Sequence, residues 1–121
     1  MKTLTFYNLK EMNDYYDEST NTFRFFGNDG LACNVIIRFD LEIDAGIVCH
    51  NLDCIDIHVE SISAWDIESC TINTNTIIAH DIDATNVKAD EIVLTNGGHL
   101  SVMGIIRCLD IYSESEKLTN W

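Results

Sequence analysis

From residue 47 to residue 92 a large aliphatic side chain returns at every fifth position: Ile47, Leu52, Ile57, Ile62, Ile67, Ile72, Ile77, Ile82, Val87 and Ile92. Two places after each stand Cys49, Cys54, Val59, Ala64, Ser69, Thr74, Ala79, Ala84, Ala89 and Leu94, all but the last small or β-branched. A period of five excludes both regular elements. On an α-helix, residues five apart are separated by roughly 500°, so the isoleucines would be smeared around the cylinder. On a flat strand they would alternate between faces, because five is odd. A short extended segment that turns its first and third side chains inward and ends in a corner satisfies the pattern. Coils built of such segments stack at the inter-strand spacing of about 4.8 Å. Four sides per coil predict a twenty-residue repeat, with Ile47, Ile67 and Val87 in one inward column and Leu52, Ile72 and Ile92 in another. Proline is absent, which leaves every backbone N–H free to bond between coils.

The unit reads [Asp/Asn/Thr]-Ile-x-Ala-x, as in Asp66-Ile67-Glu68-Ser69 and Asp81-Ile82-Asp83-Ala84. It resembles the pentapeptide-repeat proteins, whose unit is usually written Ala-Asp/Asn-Leu-x-x, over residues 45–94. Here the large residue comes first and the small one second, as in Asn86-Val87-Lys88-Ala89. That order is also similar to arrays in proteins of bacterial mobile elements; Ser63-Ala64-Trp65-Asp66-Ile67 and Ile43-Asp44-Ala45-Gly46 carry the likeness best. The resemblance implies an all-β solenoid, a right-handed quadrilateral parallel β-helix. Members of the pentapeptide family include proteins that mimic DNA to bind topoisomerases.

Outside the array the pattern changes. Residues 1–44 read as a small α/β cap. It comprises a short strand at Leu4 and Phe6, a helix from Asn8 to about Asp17 opened by Asn8 and Glu11, and a turn at Gly27-Asn28-Asp29-Gly30. A lead-in strand follows, because every odd position from Leu31 to Ile43 is apolar or Cys. Residues 95–121 read as a C-terminal coil and tail. A tight turn or hairpin at Gly97-Gly98 is expected to account for a one-residue shift of register, and Trp121 is a candidate for docking or self-association.

No motif for catalysis or for a cofactor is present. The five cysteines form no Cys-x-x-Cys pair, and Cys49, Cys54 and Cys108 fall in small inward slots, which favours reduced, packed thiols. The four histidines never fall at metal-ligand spacing along the chain. A twenty-residue coil would set Glu60 beside His80, half of a metal or acid–base site or, more simply, a surface ion pair. No apolar run approaches the roughly 20 residues of a membrane span, and the N-terminus lacks a signal-peptide pattern; a cytoplasmic protein is expected.

The charge balance is the remaining signal. Twenty acids face seven bases, a formal charge of −13. Such a chain repels nucleic acid and anionic lipid and attracts basic surfaces. The outward acids Asp53, Asp56, Glu60, Asp66, Glu68, Asp81, Asp83, Asp90 and Glu91, with Trp65 as an aromatic anchor, form the candidate interaction surface. In a twenty-residue coil Asp53 lies over Asn73, Asp56 over Thr76, Asp66 over Asn86 and Glu68 over Lys88, while Ser61 and Ser63 lie over Asp81 and Asp83, so that like charges avoid one another. Two functions are consistent with this. One is an acidic, non-catalytic inhibitor occupying the basic nucleic-acid channel of a host-defence protein such as a CRISPR effector or restriction enzyme. The other is a structural module that self-assembles, for example as a homodimer through its C-terminal end.

Overall fold

The computed structural model describes residues 2–113; the expectation for Trp121 lies outside them. The chain is an all-β solenoid of stacked parallel strands. In order these are β1 (Thr3–Phe6), β2 (Tyr16–Asp17), β3 (Thr22–Arg24), β4 (Asn34–Ile37), β5 (Leu41–Glu42), β6 (Gly46–Val48) and β7 (Asn51–Asp53). They continue with β8 (Asp56–His58), β9 (Ser61–Ser63), β10 (Asp66–Asn73), β11 (Thr76–Ala79), β12 (Asp81–Leu94), β13 (Leu100–Val102) and β14 (Ile106–Ser113).

The register corrects the number of sides. Leu52 pairs with Ile67 and Ile67 with Ile82; Ile57 pairs with Ile72; Ile47, Ile62, Ile77 and Ile92 pair in sequence. Each step is fifteen residues, so the coil has three sides and not four. Ile47 lies under Ile62 rather than Ile67, and the quadrilateral cross-section is replaced by a triangular one. Each pentapeptide gives residues one and three to solvent, two and four to the core, and five to a corner. An acute corner holds one bulky side chain, which suits an Ile on one side meeting an Ala, Ser, Thr, Cys or Val at the end of the next. The inward isoleucines of the array are at most 2% exposed. Corner amides bond to the carbonyl of the corner below, as in Asn75 N–H to Glu60 O (3.1 Å), Asp90 N–H to Asn75 O (2.9 Å) and Cys70 N–H to Ile55 O (2.9 Å).

Three faces result. The first stacks β1, β4, β7, the 66–69 part of β10, the 81–84 part of β12, and β13. The second stacks β5, β8, residues 71–73, residues 86–89 and the start of β14. The third stacks β3, β6, β9, β11, residues 91–94 and the end of β14. The single lead-in strand expected over residues 31–43 is two strands, β4 and β5, on different faces, because the chain turns a corner at Arg38–Asp40. Period two cannot distinguish one long strand from two short ones joined by a corner that preserves the inward parity.

The N-terminal end is closed. A seven-residue 3-10 helix, Leu9–Tyr15, starts at Asn8, whose Oδ1 accepts the Glu11 N–H at 3.1 Å; the Glu11 carboxylate in turn accepts the Tyr7 N–H at 2.6 Å. The helix places Met12 and Tyr15 with Phe6 and Phe25, the rings of Phe6 and Tyr15 each 5.3–5.7 Å from a neighbour, and Met12 and Phe25 are fully buried. Downstream, Asn96 and Gly97 have positive φ (53° and 73°) and make a turn, yet β13 pairs with β12 in parallel. The turn is therefore a widened corner, as the tight-turn alternative expects, and not a hairpin. Gly98 packs so tightly on it that a Cβ would fall 1.6 Å from the His80 carbonyl oxygen.

Candidate functional site

The fifteen-residue coil redistributes the acids. On the first face two outward ladders run up the sheet. One is Asn34, Asn51, Asp66, Asp81; the other is Ile36, Asp53, Glu68, Asp83, Ser101. Asp53 thus faces Glu68 and not Asn73; Glu68 faces Asp83 and not Lys88; Asp66 faces Asp81 and not Asn86. The expectation that like charges avoid one another fails on this face. Five carboxylates occupy three consecutive strands about 4.8 Å apart, and the strands of the face carry no Lys or Arg. They line both sides of a shallow open groove that runs between the ladders.

The other expected residues lie elsewhere. Asp56 is on the second face opposite Thr71, Glu91 is on the third face between Thr76 and Asp110, and Glu60 and Asp90 project from the corner between those faces. Ser61 and Ser63 face Thr76 and Ile78 on the third face rather than Asp81 and Asp83. The three faces therefore differ in chemistry: a ladder of carboxylates on the first, mixed polar groups with Lys88 and Arg107 on the second, and hydroxyls and aliphatics with Arg24, Glu91 and Asp110 on the third.

The acidic face is bordered by a corner ladder that spacing along the chain did not reveal. His50, Trp65 and His80 stack with their rings parallel to within 4°, centroids 6.4 Å and 4.3 Å apart. Trp65 thus lies against its corner neighbours, sandwiched between two imidazoles. His80 does not meet Glu60, whose Oε2 accepts from Asn21 Nδ2 at 3.3 Å. Instead His80 Nδ1 lies 3.3 Å from Asp66 Oδ1 and 3.5 Å from Asp81 Oδ2, bridging two rungs of the ladder. Asp81 Oδ1 accepts the backbone N–H of His99 at 2.8 Å. Asp66, His80 and Asp81 are the residues whose ligand atoms converge, all within 4.8 Å of one another; two carboxylate oxygens and an imidazole nitrogen are donors that a divalent metal can take. Aromatic and imidazole residues recurring at 50, 65 and 80 were the available signal, visible only at a lag of fifteen.

The thiols are packing groups. Burial pushes Cys49 up to about 12 and Cys54 up to about 11, so both stay neutral near pH 7. Cys33 is buried as well, while Cys70 is exposed on the corner between the first and second faces. Among the described residues no helix is long and apolar enough to cross a membrane. No protein-family model, curated protein or solved structure matches the chain.

Proposed function

We propose that this protein is a non-catalytic binding module whose acidic face docks on a basic protein surface of the kind that lines a nucleic-acid channel. The observation that carries this reading is the confrontation of Asp53 with Glu68, Glu68 with Asp83, and Asp66 with Asp81 on one sheet face. Like charges opposed across strands oppose folding. A basic partner removes that repulsion on binding, so the arrangement favours the bound state over the free one.

The spacing supports a nucleic-acid-like surface. Five carboxylates over three rungs of about 4.8 Å give one charge per about 3 Å. One strand of a duplex presents a charge about every 3.4 Å. The likeness of the repeat to pentapeptide-like arrays of mobile-element proteins adds the class of target, a host-defence protein that holds DNA or RNA.

Capture from a bacterial lysate at low salt, followed by identification and titration of the captured protein, tests the reading. Binding is expected to weaken steeply with salt, to be competed by duplex DNA or by RNA, and to be lost in Asp66→Lys/Glu68→Lys. Glu60→Lys/Asp90→Lys, which changes the same net charge away from this face, is expected to bind nearly as well as the parent. Equal loss in both double variants, or no competition by nucleic acid, overturns the proposal.

A further inference from the structure

The two ends of the solenoid are unlike. Aromatic side chains close the N-terminal end, but at the other end the apolar side chains of the last coil are exposed. Ile106 and Ile111 continue the inward columns of Val87 and Ile92, which are 2% and 0% exposed, yet are themselves 39% and 46% exposed. Among the described residues β13 and β14 pair only with β12. From Leu100 to Ile111 the last coil therefore presents a strand edge that no other described strand pairs on its outer side, beside the exposed Ile106 and Ile111.

The charges on that edge are stacked on their own kind. Arg107 pairs in register with Lys88, and Asp110 with Glu91. Each is repelled by its neighbour in the coil below. Each would be matched by an opposite charge arriving from above.

We propose that this end is an interface with the same end of a second copy, giving a closed two-fold dimer. A two-fold axis perpendicular to the solenoid, entering near the Leu109 corner and leaving through the first face near Ser101, exchanges the second face with the third. Residues 106–107 of one copy then run antiparallel to residues 110–111 of the other. One register that keeps inward side chains together sets Arg107 opposite Asp110 of the second copy, and the same register sets Ile106 opposite Ile111 of the second copy. Symmetry makes each contact twice. On the first face β13 meets its own copy around Ser101, where the ladder of Asp53, Glu68 and Asp83 has already ended in an uncharged residue. The seam thus brings no carboxylate onto a carboxylate. Because the aromatic cap closes the opposite end, pairing stops at two copies instead of propagating into a fibre.

Light scattering on the full chain during size-exclusion chromatography tests this. The parent is expected to be a dimer. Arg107→Asp sets Asp against Asp110 across the seam, and Asp110→Arg sets Arg against Arg107; each is expected to weaken the dimer about tenfold or more. Both changes improve pairing within the chain, with Lys88 or with Glu91, so the monomers stay folded, as circular dichroism checks. The double variant Arg107→Asp/Asp110→Arg is expected to dimerise again, and an equimolar mixture of the two single variants to form a heterodimer. A monomeric parent overturns the proposal, whether the end is bare or covered by the chain beyond Ser113. So does a dimer that both single reversals leave intact, or a mixture of the single variants that stays monomeric.

Discussion

Replacing Glu68 by Gln is expected to stabilise the protein, by an amount set by the ladder. Glu68 stands between Asp53 and Asp83, one strand away on either side, with Asp66 two residues before it on the same strand and Asp81 diagonally placed in the neighbouring column. Two carboxylates about 5 Å apart in water repel by about 0.8 kcal/mol. At physiological ionic strength the Debye length of about 8 Å cuts this to roughly half. Two such neighbours and two weaker ones at about 7 Å sum to about 1 kcal/mol, after allowance for repulsion that persists in the unfolded chain between residues as close as Asp66 and Glu68. For a chain of this size that raises the thermal midpoint by about 3–6 °C.

The dependence on salt is the sharper test. At about 0.01 M salt the Debye length of about 30 Å leaves the repulsion almost unscreened, and the gain is expected to approach 2 kcal/mol. At about 1 M it is expected to fall to roughly 0.4 kcal/mol. Urea unfolding of parent and variant across this range measures it, with Glu60→Gln as the comparison. Glu60 stacks between Ala45 and Asn75, and Gln keeps an acceptor for Asn21, so no gain is expected there. A Glu68→Gln variant that is less stable than the parent, or one whose gain ignores salt, refutes the reasoning. Either result means that the ladder carboxylates are held together by bound cations or shared protons instead of pushing apart.

Two further expectations concern the core. Thr74 is 4% exposed and its hydroxyl has no hydrogen-bond partner among the described residues, in a column between Val59 and Ala89; Thr74→Val removes an unsatisfied polar atom at nearly constant volume and is expected to add about 1 kcal/mol of stability in urea unfolding. Cys49 and Cys54, at about 12 and about 11, lie above the 9.0 of an open chain, so their contribution to stability is intact below about pH 9 and is lost as pH rises toward 11–12, which an alkaline unfolding titration measures. The same burial is expected to restrict alkylation of these two thiols at pH 8 to the rate of unfolding, while Cys70 reacts at once; rapid labelling of all three in the native protein would contradict the structure.

The solenoid was legible because Ile62, Ile67, Ile72 and their equivalents demand a common interior that neither helix nor flat sheet supplies. The number of sides was not legible from those residues. A five-residue segment with one corner is compatible with a coil of three or four sides, and inward Ile stacks on inward Ile at a lag of fifteen as well as of twenty. The outward residues hold the missing information. At a lag of twenty Asp53, Asp66 and Glu68 meet Asn73, Asn86 and Lys88, which looks favourable if each ladder is taken to minimise its own electrostatic energy. At a lag of fifteen they meet acids, and His50, Trp65 and His80 align.

The stabilising assumption pointed the wrong way, and the reason is physical. The column of Leu52, Ile67 and Ile82 under the acidic face is almost wholly shielded from water. Each such side chain contributes about 1.5–3 kcal/mol by burial, against a repulsion of about 1 kcal/mol at the most crowded carboxylate. The interior fixes the register, and the surface must accept whatever neighbours that register brings. The face that carries a conflict is consequently the one where selection for folding alone gives no account of the residues, and that is the ground for the proposed docking on a basic partner. A ladder that relieved its own charge would have less to gain from a basic partner.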